Sequence, residues 1–364
     1  MSMKKFMIRI PAAILIVVIL SAFLPGRAGA AFAGDREIAS KGACVLDFET
    51  GTLLYGHEEN TKRVPASMTK LLTVFVVYDA IRAGEIGLGS EVRISEEVSD
   101  FSYDWRYSNV PLPKDALIKV DVLLDVVLVA SACAATVALG EALCGDEEGF
   151  IKRMNEKVAK LGIDAVFYDT NGISPDNRIS PYGMAVLSLN LLKEHPEVLD
   201  KTKKKTITYR SREYKNTNPL LGEYSGMDGL KTGYTDPAGY CFTGTAERGG
   251  RRLITVTMGS STVQKRSEDH RILLDYGFKI ADSVINGQTD DKAGVPDAGG
   301  TPGSEAGDSG AYLPNSMEGY RLLILRAIEL AQNGADVQSE MVLIYAYILS
   351  TLILYSEVIS GTAP

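Results

Sequence analysis

Strand-like segments at both ends of a long helical middle restrict the fold of this chain more than any other feature of its 364 residues. Near the start, ACVLDFETGTLLYGHEEN gives an apolar run, a turn at residues 49–51 and a second apolar run, the pattern of a hairpin. Near the other end, TITYR, GLKTGYT, YCFTGTAERGG and RRLITVTMGSS read as successive strands, with the glycines at 249 and 250 as a tight turn. Between them, VPASMTKLLTVFVVYDAIRAG, KVDVLLDVVLVASACAATVALGEAL, EEGFIKRMNEKVAKLG and SPYGMAVLSLNLLKEH carry apolar residues at helical spacing. KRSEDHRILLDYGFKIADSVI adds a closing helix. A single core accommodates this order if the first strands join the late ones in one sheet. The expected class is therefore α+β, an antiparallel sheet flanked by helices with an inserted helical subdomain.

The flanks read differently. Residues 1–33 have a basic start (Lys4, Lys5, Arg9), an apolar core and A-x-A sites, the layout of a secretory signal peptide; an uncleaved anchor is the other reading. Export to the outer face of the cytoplasmic membrane or the cell wall is the expected localisation. Residues 34–285 form the expected folded domain, and 286–315, rich in Gly, Ala, Asp and Pro, a flexible linker. Residues 316–364 hold apolar helical segments. MVLIYAYILSTLILYS would be ~24 Å long as a helix against a ~30 Å hydrocarbon core, so membrane contact and a self-packed hairpin or dimer contact stand equally. A net charge of −8 argues against a nucleic-acid partner.

Four cysteines, Cys44, Cys133, Cys144 and Cys241, allow three pairings that the sequence does not choose between. Cys133 and Cys144 on one helix would be ~16 Å apart, beyond disulfide reach. No CxxC or Cys/His cluster indicates a metal, and no cofactor is expected.

Two short motifs suggest chemistry. In S-M-T-K, Ser67 sits at the start of an apolar helix, where backbone N–H groups favour developing negative charge. Lys70 lies one turn on, so its amine reaches the Ser67 hydroxyl, and apolar surroundings suit it to act as a base. In K-T-G, Lys231 and Thr232 lie on a strand and Gly233 leaves room for a ligand along its edge.

The combination resembles the penicillin-recognising serine enzymes, whose third element is S-x-N. More narrowly it is similar to the serine-type D-alanyl-D-alanine carboxypeptidases, the low-molecular-weight penicillin-binding proteins, through VPASMTKLLT, NTNPLL, DGLKTGYT and LLDYGF. The resemblance covers about residues 35 to 285 and implies a β-lactamase-like or penicillin-binding transpeptidase-like fold. It implies a peptidoglycan pentapeptide substrate that loses its terminal D-alanine, with β-lactams as covalent inhibitors. By the same resemblance Ser67 is the nucleophile, Lys70 takes its proton, and Ser131 relays a proton to the leaving D-alanine. Lys231 and Thr232 hold the terminal carboxylate, and the N–H groups of Ser67 and Tyr234 form the oxyanion hole.

Ser131 opens S-A-C-A-A, where the family usually has Asn at the position of Cys133. A thiol is a weak stand-in for an amide, and losing one such hydrogen bond costs ~1–3 kcal/mol, or a slowing of ten- to hundred-fold. Cysteine here also suits a sporulation-type member, a point that rests on resemblance alone. The alternative function is a catalytically weakened peptidoglycan- or penicillin-binding protein. A β-lactamase is disfavoured because FYDTNGISPDNR offers no Glu to activate the deacylating water.

Three further features stand apart from the motifs. His57, His195 and His270 read as surface or structural residues, and no G-x-S-x-G elbow supports a Ser-His-Asp hydrolase. KTKKKTITYRSREYK reads as a solvated basic hairpin, with contact to an anionic wall polymer or membrane as the other reading. Trp105 suits either the cleft wall or the core.

Overall fold

The computed structural model describes residues 38–286; the signal-peptide, linker and C-terminal-helix expectations fall on residues outside these. Nine strands and eight α-helices are named here in chain order. The main sheet contains β1 (Gly42–Asp47), β2 (Leu53–His57), β7 (Met227–Thr235), β8 (Gly239–Arg248) and β9 (Arg251–Ser260). Its order is β2-β1-β9-β8-β7, with every neighbouring pair antiparallel. The first strands thus enter the same sheet as the last, with Cys44 opposite Val256.

Every residue of β1 is buried, because both faces of the sheet are covered. Strand alternation sends Ala43 and Val45 to one face, where they meet Leu253, Phe242 and, from helix α8 (Val263–Asn286), Leu273, Leu274 and Phe278. Cys44 and Leu46 point to the other face and join the larger core with Ile254, Val256, Met258 and the helical layer.

That layer comprises α1 (Lys70–Arg82), α2 (Glu96–Ser102), α3 (Val120–Leu128), α4 (Cys133–Cys144), α5 (Glu147–Lys160), α6 (Pro181–Glu194) and α7 (Leu199–Thr202). α1 is buried almost throughout, from Leu71 to Tyr78, as its continuous apolar sequence requires. Ser95, Asp146 and Ser180 cap α2, α5 and α6 by accepting from the backbone N–H three residues on. Two small sheets complete the fold: β3 (Glu91–Arg93) with β4 (Leu117–Lys119), and β5 (Thr206–Tyr209) with β6 (Arg212–Lys215).

One expectation needs correction. The apolar run from Lys119 to Leu143 forms two helices, α3 and α4, broken at Ser131, which adopts a left-handed φ of 60°. The break follows from where the first turn of α4 finds its acceptors. Cys133 N donates to Ser108 O at 2.9 Å and Ala134 N to Asn109 Oδ1 at 2.8 Å. The backbone donors of α4 are therefore satisfied by the 103–110 loop, not by α3. Cys133 and Cys144 bound this one helix, and all four cysteines are free thiols.

Candidate active site

Ser67 lies in a 3₁₀ turn, Ala66–Thr69, that leads into α1. Ala66 holds a left-handed φ of 50°, a costly conformation for a residue with a Cβ, so the turn must be held from outside. Two glycines do this. Gly172 has φ +88°, and a Cβ there would sit 1.9 Å from Ala66 O and 3.0 Å from Ser67 N. A Cβ on Gly233 would lie 2.8 Å from Ser67 N and 3.0 Å from Pro65 O. The loop carrying Gly172 and the edge strand β7 thus close on the same turn from different parts of the chain.

Lys70 is fully buried. Its Nζ lies 2.9 Å from Ser67 Oγ, 3.3 Å from Cys133 Sγ and 2.6 Å from the carbonyl oxygen of Asn171. The Asn171 carbonyl and the Cys133 thiol thus hold Nζ in place against the Ser67 hydroxyl. Asn171 is in turn held by its loop: Asp169 accepts from Gly172 N at 2.8 Å, Ser174 N at 2.6 Å and Asn177 Nδ2 at 2.7 Å. Thr170 O accepts from Thr73 Oγ1 on α1 at 2.6 Å.

Ser131 and Cys133 line the same cleft as Ser67, with Ser131 at the left-handed corner between α3 and α4. On β7, Lys231 is 1 % exposed and donates from Nζ to Thr232 O at 2.9 Å. The hydroxyl of Thr232 donates to Thr217 Oγ1 at 2.7 Å. Tyr234 sits at the rim, half exposed, against Tyr240 at 4.3 Å between ring centres and with its hydroxyl on Asp236. The sequence-expected residues Ser67, Ser131, Cys133, Thr232, Gly233 and Tyr234 therefore line one cleft of about 570 Å³, with Lys70 and Lys231 buried behind them. A larger groove near Asp79 and Lys157 has no serine in its lining, and there Lys157 pairs with Asp79, Arg153 with Glu85 and Arg82 with Glu194.

Thr217 and Arg266 are among the cleft residues that the sequence did not single out. Thr217 lies in NTNPLL, which gave family likeness without a role. Arg266, on α8, is 5 % exposed and lines the cleft. Its Nη1 donates to Cys241 O at 3.4 Å, while its Nε has no hydrogen-bond partner. The only signal for it was register: Arg266 shares the buried face of α8 with Asp269, His270, Leu273 and Leu274. Trp105 takes neither expected place. It is 91 % exposed and outside the cleft lining, although its neighbours Arg106, Tyr107 and Ser108 line it.

Electrostatically the site is one-sided. Lys70, Lys231 and Arg266 are all buried, and none pairs with a carboxylate among the described residues. Burial, then the charge of Lys70, holds the Lys231 ammonium well below the usual lysine range. Burial likewise lowers the Arg266 guanidinium from its usual range. Asp236, the one carboxylate in the cleft lining, is at the rim and accepts from Tyr234. Uncompensated buried cations are costly, and a site built from them favours an anionic ligand.

The family model for D-alanyl-D-alanine carboxypeptidase, Peptidase S11, matches residues 29–262. The chain is 34% identical over 288 residues to D-alanyl-D-alanine carboxypeptidase DacF of Bacillus subtilis, covering 74% of this chain and 71% of that protein. With DacA of Escherichia coli it shares 28% over 262 residues, 69% of this chain and 64% of that protein, so it spans about two thirds of the length of these relatives. Among solved structures, ampicillin-bound penicillin-binding protein D2 of Listeria monocytogenes superposes with a TM-score of 0.60 at 32% identity, covering 67% of this chain and 99% of that one. Penicillin-binding protein 3 of Streptococcus pneumoniae gives 0.63 at 34% identity, covering 66% and 74%. Motifs, fold and sequence similarity lead to one assignment: the chain belongs to the D-alanyl-D-alanine carboxypeptidase family of serine peptidases.

Proposed function

We propose that the protein removes the terminal D-alanine from peptidoglycan stem peptides ending in D-Ala-D-Ala, through an acyl-enzyme on Ser67. The observation that carries this reading is the pairing of a lysine-activated serine with buried cations that lack a counter-ion. The substrate's terminal carboxylate is that counter-ion, taken by Lys231, the Thr232 hydroxyl and Arg266. This fixes the scissile carbonyl near Ser67 Oγ, which attacks while Lys70 Nζ takes its proton. The N–H groups of Ser67 and Tyr234 stabilise the oxyanion. The Ser131 hydroxyl delivers a proton to the leaving D-alanine nitrogen, and water activated by Lys70 then hydrolyses the ester. A β-lactam presents a comparable carbonyl and carboxylate and acylates the same serine, and the ampicillin-bound Listeria relative supports this.

D-alanine release from an acyl-D-Ala-D-Ala peptide by the full chain tests the reading. Release abolished by Ser67→Ala is expected, and peptide binding without release by the parent protein would sink it. A second reading, a weakened enzyme, rests on Cys133, whose thiol meets Lys70 Nζ at 3.3 Å in place of an amide. Cys133→Asn is expected to raise turnover ten- to hundred-fold if the thiol is only a weak substitute; a fall would give the thiol a role of its own. The export expected of residues 1–33 and a membrane role for 316–364 are proposed on sequence grounds alone. Among the described residues no helix is long and apolar enough to cross a membrane.

A further inference from the structure

The β5–β6 hairpin turns at Arg210 and Ser211, both with left-handed φ, and is anchored by Tyr209, which is buried. Between Lys203 and Lys215 it carries six basic residues against one acid, Glu213, on a chain whose net charge is −8. Lys203 and Lys204 are paired with Asp200 and Asp125. Lys205, Arg210, Arg212 and Lys215 are exposed and have no carboxylate partner among the described residues.

The hairpin is joined to the cleft on two sides. Thr217, two residues after Lys215, lines the cleft and accepts from Thr232, so Lys215 lies within ~7 Å of it along the chain. Tyr209, beside the turn, lies near Tyr103, and Tyr103 leads directly into the cleft-lining Arg106, Tyr107 and Ser108. The hairpin therefore borders the cleft, with Lys215 the nearest of the four unpaired cations along the chain and Arg210 and Arg212 at the turn.

We propose that this hairpin docks the acidic part of the substrate peptide upstream of the scissile bond. The inference rests on the carboxypeptidase reading and deepens it. Lys231, Thr232 and Arg266 are committed to the terminal carboxylate, so any further carboxylate of a stem peptide needs other cations. The hairpin supplies them at the rim, and guanidinium groups on Arg210 and Arg212 suit bidentate carboxylate contacts. An enzyme with net charge −8 repels an acidic peptide at long range; a local cluster of positive charge reverses this at the mouth. Such a cluster acts on encounter and KM, and leaves the chemical step alone.

The test compares two D-Ala-D-Ala peptides that differ only in whether an upstream carboxylate is free or amidated, at low and physiological salt. With the doubly reversed variant R210E/R212E, KM for the acidic peptide is expected to rise roughly tenfold at low salt with kcat unchanged. Its salt dependence is expected to change sign, while KM for the amidated peptide stays within about twofold. Equal losses for both peptides, or none for either, overturn the proposal; unchanged penicillin labelling and melting temperature show that the variant is folded. Peptide KM unchanged but lost co-sedimentation with vesicles of anionic lipid would also overturn it, assigning the hairpin to a membrane surface. Binding of both peptides to Ser67→Ala protein, followed by fluorescence anisotropy, reads the hairpin independently of turnover, so failure of the carboxypeptidase reading is distinguishable.

Discussion

Gly172 shows how little room the turn carrying Ser67 has. At φ +88° an alanine is strained, and its Cβ would overlap the carbonyl of Ala66. Gly172→Ala is expected to displace Ser67 by the ~1 Å that costs about a hundredfold in acylation, measured by fluorescent penicillin labelling. Lys231 makes a pH prediction of definite sign. Its depressed pKa means that the ammonium is lost as pH rises through a value below the usual ~10.4. If Lys231 anchors the substrate carboxylate as proposed, that anchor is lost there, so kcat/KM falls on an alkaline limb lying below the ordinary lysine range, and Lys231→Arg is expected to move that limb upward. Stability runs the other way: between the folded and unfolded pKa values the unfolded chain binds more protons, so this lysine stabilises the fold increasingly as pH rises.

Among the elements, the loop from residue 165 to 180 does more for the site than its lack of regular structure suggests. Asp169 organises it by accepting three hydrogen bonds, and the loop then offers Asn171 O to Lys70. Asp169→Ala is expected to cost about 2–4 kcal/mol and to lower the melting temperature by roughly 5–15 °C, with penicillin labelling lost in parallel. The sequence displayed Ser67, Lys70 and the K-T-G strand because each is local, set by one helical turn or one strand. It displayed Gly172, Thr217 and Arg266 poorly because their importance arises where separate segments meet. The split between α3 and α4 was hidden for the same reason: the run is apolar throughout, and its break depends on Ser108 and Asn109, more than twenty residues earlier. The α+β class was legible because strand-like runs at the two ends had only each other to join.

For the whole molecule, that joining has a stability consequence. The packing of α8 beneath the sheet buries His270, stacked on Phe242 with ring centres 4.0 Å apart and bonded to Thr257. Burial, then the charge of Arg266, pushes its pKa down to about 3 from 6.5. The unfolded chain therefore binds a proton that the folded one refuses. Stability is fully present above about pH 6.5 and is lost as pH falls toward 3. Urea midpoints across this window are expected to decline, and His270→Gln to flatten the decline.

The unpaired cations of the cleft have one more effect. A bound carboxylate raises the depressed Lys231 pKa back toward the ordinary lysine range, so at pH values between the free and bound pKa association draws a hydrogen ion from solution. The heat of binding in calorimetry then depends on the buffer's own ionisation enthalpy, and the slope of that dependence counts the protons taken up. A small anionic ligand would also raise the melting temperature more than its contact area implies, because it removes a repulsion already present in the free protein.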